Sequence, residues 1–118
     1  MANESEITKG PIIAIVLGLT GIIGGILKIT DTTAWGYVEM TKYAMDYIYT
    51  AYRVIKEWLE ITCEEHGIIR LQAWIECGVQ ERLVFAEHLG FTQEGPIMRD
   101  FLGKNQPAYL YVRYIGGQ

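Results

Sequence analysis

Between Lys42 and His66 the spacing of apolar residues changes from that of a sheet to that of a helix, and no other feature limits the available folds as much. Tyr43, Tyr47, Ile48, Ala51, Val54, Ile55, Trp58, Leu59 and Ile61 recur mostly at steps of three and four, which lines one face of an α-helix. Thr41 stands where a hydroxyl N-cap is expected, His66 falls in the last turn, and Gly67 can end the helix in a left-handed conformation. A helix of about seven turns with one apolar face needs an apolar surface to lie on.

Strands on both sides of the helix supply that surface. Pro11 to Leu19 is dense in Ile, Val and Leu, as a strand buried on both faces is. Thr20-Gly21 is turn material, and Ile22 to Thr30 resumes as the second strand of a hairpin, with Gly24-Gly25 marking a bulge or a close backbone approach. Asp31-Thr32-Thr33 turns the chain into a third strand, Ala34 to Met40. After the helix, Ile68 to Ile75 places Ile69, Leu71, Ala73 and Ile75 on one face and Arg70, Gln72 and Trp74 on the other. Val79 to Leu89 reads as a short helix with Leu83, Val84 and Phe85 toward the core, closed by Gly90. Phe91 to Leu102, interrupted by Gly95-Pro96, and Tyr109 to Ile115 read as two last strands joined by a turn at Gly103 to Gln106. Met1 to Lys9 is a polar lead-in. The expected class is α+β: one domain over residues 1–118, with a mixed, mostly antiparallel sheet of about six strands, one long helix and one short one.

Composition excludes several functions. Half of the 118 residues are hydrophobic and a fifth are charged, the balance of a packed domain. A formal charge of −4, with Arg70, Arg82, Arg99 and Arg113 each flanked by apolar or acidic neighbours, offers no basic field for nucleic acid. Pro11 to Leu27 is apolar but shorter than the roughly 20 residues of a membrane helix, and four glycines interrupt it. Cys63 and Cys77 form neither a disulfide framework nor a metal-ligand spacing, so no metal and a reducing, cytoplasmic setting are expected. Cys77 has no partnered base in the sequence, and His66 and His88 both sit at helix ends where a structural role suffices.

One stretch resembles a known family. Arg70-Leu71-Gln72-Ala73-Trp74, the short-helix segment, Leu89-Gly90-Phe91-Thr92-Gln93-Glu94-Gly95 and Tyr111-Val112-Arg113 are similar to the closing strand-helix-strand-strand unit of the GCN5-related N-acetyltransferases (GNAT). Among them the chain is most similar to short proteins of tailed bacteriophages, which would place it in a host cytoplasm or a virion. The N-terminal part is expected to be truncated, because only a hairpin precedes the third strand and the usual acceptor-side helices are missing.

The resemblance implies acetyl-CoA or CoA as the cofactor. It places pantetheine on the backbone of Tyr37, Val38 and Met40, and the phosphates at the helix start, on Thr41, Lys42 and Tyr43. That start lacks the family's glycine-rich, arginine-containing loop, and Glu39 stands beside it. Counting back from Leu89-Gly90-Phe91, the family's Asn falls at Val79 and its Tyr general acid at Ala86, neither of which can donate a proton. Glu39 and Glu76, at strand ends, are the candidate general bases. Two functions follow: a GNAT-derived binding or assembly module without catalysis, or an acetyl-CoA-dependent N-acetyltransferase acting on a small amine or a protein amine. Tyr49 and Tyr52, on the polar side of the long helix, suggest a homodimer or protein partner.

Overall fold

A computed structural model describes residues 4–9, 12–17, 22–40 and 48–116. Its strands are β1 (Glu4–Lys9), β2 (Ile12–Leu17), β3 (Ile22–Lys28), β4 (Thr33–Met40), β5 (Arg70–Glu76), β6 (Thr92–Gln93) and β7 (Ala108–Tyr114), and its helices are α1 (Ile48–Glu65) and α2 (Gln80–His88). The strands form one sheet in the order β1-β2-β3-β4-β5-β7-β6. The β4–β5 pair is parallel and every other described pair is antiparallel. The α+β class, with a mostly antiparallel sheet and one long and one short helix, is thus as expected.

The apolar spacing of α1 explains where it lies. Ala51, Ile55, Trp58, Leu59, Thr62 and Cys63 are its buried positions, and they recur at steps of one, three and four along a single stripe. This stripe packs with Ile26, Ala34 and Leu71 from the sheet, and with Ala86 and Leu89 from the second helix region, in one core cluster. Ile61, counted above with the apolar face, is 54% exposed and sits on the outer side. Tyr49 is exposed as expected, whereas the Tyr52 ring stacks on His88 and tilts against Phe85 between the two helices. The expected helix start, with Thr41, Lys42, Tyr43 and Tyr47, lies outside the described residues.

Both helices end in the same way. At the end of α1 the Ile68 amide donates to the Cys63 carbonyl and the Gly67 amide to that of Glu64; at the end of α2 the Phe91 amide donates to Ala86 and the Gly90 amide to Glu87. This is the Schellman pattern, in which a left-handed residue lets the next one turn inward. Gly67 (φ 72°) and Gly90 (φ 91°) take that conformation, and Ile68 and Phe91 are buried behind them.

Four expectations change. Glu4–Lys9 is a strand rather than a lead-in, paired along its length with β2, because ladder pairing is made by main-chain groups and does not require an apolar pattern. No bulge occurs at Gly24-Gly25: these residues pair in unbroken register with Ala14 and Ile15 on one side and with Tyr37 and Val38 on the other. A strand paired on both edges cannot gain a residue without breaking two ladders. The expected strand from Phe91 to Leu102 shrinks to Thr92–Gln93 and an isolated bridge at Met98, because Gly95 turns with positive φ, Pro96 has no N–H to donate and Asp100 is left-handed. In α2, Val84 points outward; Leu83 and Phe85 lie against the core.

Candidate functional site

The parallel ladder between β4 and β5 is short. It pairs Thr33 with Arg70, Ala34 with Leu71 and Trp35 with Gln72, and then stops, although β4 continues to Met40 and β5 to Glu76. On their outer sides both strands stay paired to those ends, β4 with β3 and β5 with β7. From Gly36 and Ala73 onward their facing edges therefore diverge, leaving main-chain N–H and C=O groups without a ladder partner across the gap among the described residues. At the apex Gly36 is held tightly: a Cβ there would lie 3.2 Å from Leu71 Cδ1.

Alternation decides which side chains meet this gap. Ala34 and Leu71 point into the helix-covered core, so Trp35, Tyr37, Gln72 and Trp74 lie on the opposite face. There Leu27, Trp35, Gly36, Tyr37, Trp74 and Phe101 line an open groove of about 450 Å³. Phe101 stands between the two indoles, its ring centroid 6.3 Å from each, tilted by 45° to Trp35 and 55° to Trp74. The loop that brings Phe101 there is tied down by paired Met98–Ala108 hydrogen bonds, by Leu102 N–H to the Gln106 carbonyl, and by Asn105 N–H to Asp100 Oδ1 at 2.7 Å.

Of the expected cofactor residues, Tyr37 lines the groove, Val38 packs toward the core, and Met40 pairs with Ile22 at the end of β4. Thr41, Lys42 and Tyr43 lie outside the described residues. Of the two candidate bases, Glu39 stands opposite Ile23 in the ladder, and Glu76 pairs with Arg82 at 3.6 Å and does not line the groove. Val79 precedes α2 without a side-chain cap, and Ala86 is buried in the core, so α2 offers no proton donor at either position. Cys77 makes no hydrogen bond to a histidine among the described residues; its amide donates to the Pro107 carbonyl. Cys63 is fully buried, which pushes its thiol up to about 11 against a weaker opposing effect from Arg113. Among the described residues no cluster of three or more His, Cys, Asp or Glu could hold a metal ion, and no helix is long and apolar enough to cross a membrane.

The residues that carry the resemblance do structural work. Arg70 donates to Glu94 Oε1 at 2.6 Å, to Gln72 Oε1 and to the Tyr114 hydroxyl, which itself donates to Glu94 Oε2 at 3.0 Å. These bonds join β5, β7 and the turn after β6, and the Arg70 and Tyr114 donors hold the Glu94 carboxyl below its ordinary range. Arg113, nearly buried, reaches the Lys56 carbonyl at 3.3 Å and Glu60 at 3.4 Å. A Cβ at Gly90 would lie 3.3 Å from the Arg113 stem, so glycine is needed there for space as well as for its φ. The groove residues Trp35, Trp74 and Phe101 carried no functional expectation from the sequence. The one signal available was the face of β5 that carries Arg70, Gln72 and Trp74 in place of aliphatic residues.

No family model matches the sequence, and no curated protein matches it. Solved structures do match. A chimera of the Vibrio cholerae spermidine N-acetyltransferase SpeG with hSSAT superposes with a TM-score of 0.75 at 11% identity, over 90% of this chain and 71% of that one. A GNAT-family acetyltransferase from Bacillus anthracis gives 0.71 at 14% identity, over 88% of this chain and 66% of that one. An aminoglycoside 6'-N-acetyltransferase complexed with coenzyme A gives 0.69 at 14% identity, over 93% and 76%. At such identities the likeness is one of fold, and the fold of this chain is that of the GNAT acetyltransferases.

Proposed function

We propose that the chain is an acyl-coenzyme A-binding protein of the acetyltransferase type, which holds the pantetheine arm along the free edge of β4. The observation that carries this is the early end of the β4–β5 ladder after Trp35 and Gln72. An extended chain with its own amides can hydrogen-bond to the main chain of residues 36–40 as a further strand would. The coenzyme A complex of a protein of like fold supports the same donor, and the amine acetyltransferases named above support an amine as acceptor.

When bound, an acyl-coenzyme A supplies a thioester whose acyl carbon a neutral amine can attack, the thiolate departing with the coenzyme. The chain's own contribution is positioning. Gly36 leaves room for the Leu71 side chain at the apex, and Trp35, Trp74 and Phe101 form an apolar wall beside it. With Val79 and Ala86 where an acid would be needed, protons are exchanged with solvent. A second reading, a binding or assembly module that has lost turnover, is favoured by those same two residues.

The test is to titrate CoA and acetyl-CoA while following the melting temperature and amide chemical shifts. Ligand at a hundred times its Kd adds about 2.7 kcal/mol of stability, and the shifts are expected at residues 36–40. No melting shift at millimolar ligand overturns the reading. If binding is seen, release of free coenzyme thiol on adding an amine separates turnover from the second reading.

A further inference from the structure

We infer that the groove beside the gap selects its ligand by an aromatic or other flat apolar body, so that the acceptor is an arylalkylamine-like molecule rather than a polyamine. The inference rests on the acyl-transfer reading above for the word acceptor. The groove itself rests on independent geometry. Its volume, about 450 Å³, falls within the range that small-molecule sites occupy. Trp35, Tyr37, Trp74 and Phe101 supply most of its wall, and Leu27 and Gly36 the rest. None of the six carries a carboxylate, an ammonium or a guanidinium.

Two consequences follow from that wall. The three tilted rings line an open groove and offer faces and edges to a flat aromatic body, the arrangements that aromatic pairs prefer. Aromatic faces can receive one ammonium, but with no carboxylate among the lining residues the further charges of a polycation find no counter-ion there. The attacking amine must be neutral, and no carboxylate in the wall holds it as the ammonium. Gly36 both lines the groove and stands at the apex of the gap, so the groove adjoins the edge of β4 that would hold the pantetheine arm.

The probes are 2-phenylethylamine and spermidine, titrated separately into the full chain. Tryptophan fluorescence is the readout, since Trp35 and Trp74 line the groove while Trp58 is buried in the core as a constant background. The expected result is a saturable change with 2-phenylethylamine and at least tenfold weaker binding of spermidine. Trp74→Ala should weaken 2-phenylethylamine at least tenfold, judged by amide shifts of residues 35–37 and with its own melting transition as proof of folding; Phe101→Ala serves if that variant does not fold. Equal or tighter binding of spermidine, or 2-phenylethylamine binding that neither variant affects, overturns the inference. A coenzyme A response without any 2-phenylethylamine response also overturns it and leaves the acyl-donor reading standing. The reverse pattern removes that reading and keeps the groove as an aromatic-amine site.

Discussion

The two faces of the sheet are built from the same strands but closed to very different degrees. On one, Ala34 and Leu71 lie fully buried beneath α1, and Ile26, Ile55 and Leu59 complete a closed core. On the other, Tyr37, Trp74 and Phe101 remain about two fifths exposed around an open groove. Because neighbours along a strand point to opposite faces, Leu71 and Trp74 belong to one strand yet serve different ends. Stability is concentrated where the helices are, and the large side chains free to meet a ligand are on the face the helices leave open.

The largest effect that would sharpen this contrast is expected from Leu71→Ala. Truncating a fully buried leucine costs about 3 kcal/mol by lost burial and the cavity left behind, measurable by urea denaturation. Next, Gly90→Ala should cost about 1–2 kcal/mol for a left-handed alanine and somewhat more for its approach to the Arg113 stem. Gly95→Ala has the same sign of φ but open space around it, so its smaller loss isolates the contribution of that contact. An equal loss at both glycines would mean that Arg113 yields freely.

A further effect should appear in acid. Arg70 first, and then Tyr114, lower the Glu94 pKa in the folded chain. The stabilisation this gives is present above the unfolded carboxylate value of about 4.3 and is lost as pH falls through the folded value. Glu94→Gln, followed by melting temperature from about pH 5 down to about pH 2, which spans the carboxylate range, should show a flatter acid slope than the parent. An unchanged slope would show that other carboxylates dominate acid unfolding. The smallest stability effect is expected for Trp74→Ala, below about 1 kcal/mol, as for partly exposed cross-strand positions. A loss as large as that of Leu71→Ala would break the contrast between the faces.

How much of this was legible in the sequence depended on what kind of signal each part leaves. Helix α1 and strand β5 could be read because burial of one face imposes a regular period on the side chains along each, and Gly67 and Gly90 could be read as stops because few other residues take their φ. Strand β1 could not, since an edge tolerates Glu4, Glu6 and Lys9 and so erases the apolar alternation. The short β6 was hidden by residues that look strand-forming on both sides of Gly95-Pro96. The groove draws on β3, β4, β5 and a loop, and its residues share a surface only once the register is known. The gap itself is a ladder that ends early, an event that no residue type marks. The best-matching motif, from Arg70 to Arg113, proved legible because it fastens strands together, whatever chemistry the groove performs.

The shortness of the seam between β4 and β5 has a mechanical side. Seven register pairs hold β3 to β4 and seven hold β5 to β7, but three hold β4 to β5. The sheet is thus two stiff plates, β1 to β4 and β5 to β7, sewn together at one corner near Ala34 and Leu71 and spanned by α1. Under torsion or load, parting would begin along the unsewn length beyond Trp35, and the plates could widen or narrow there like a hinged clip while each kept its own hydrogen bonds.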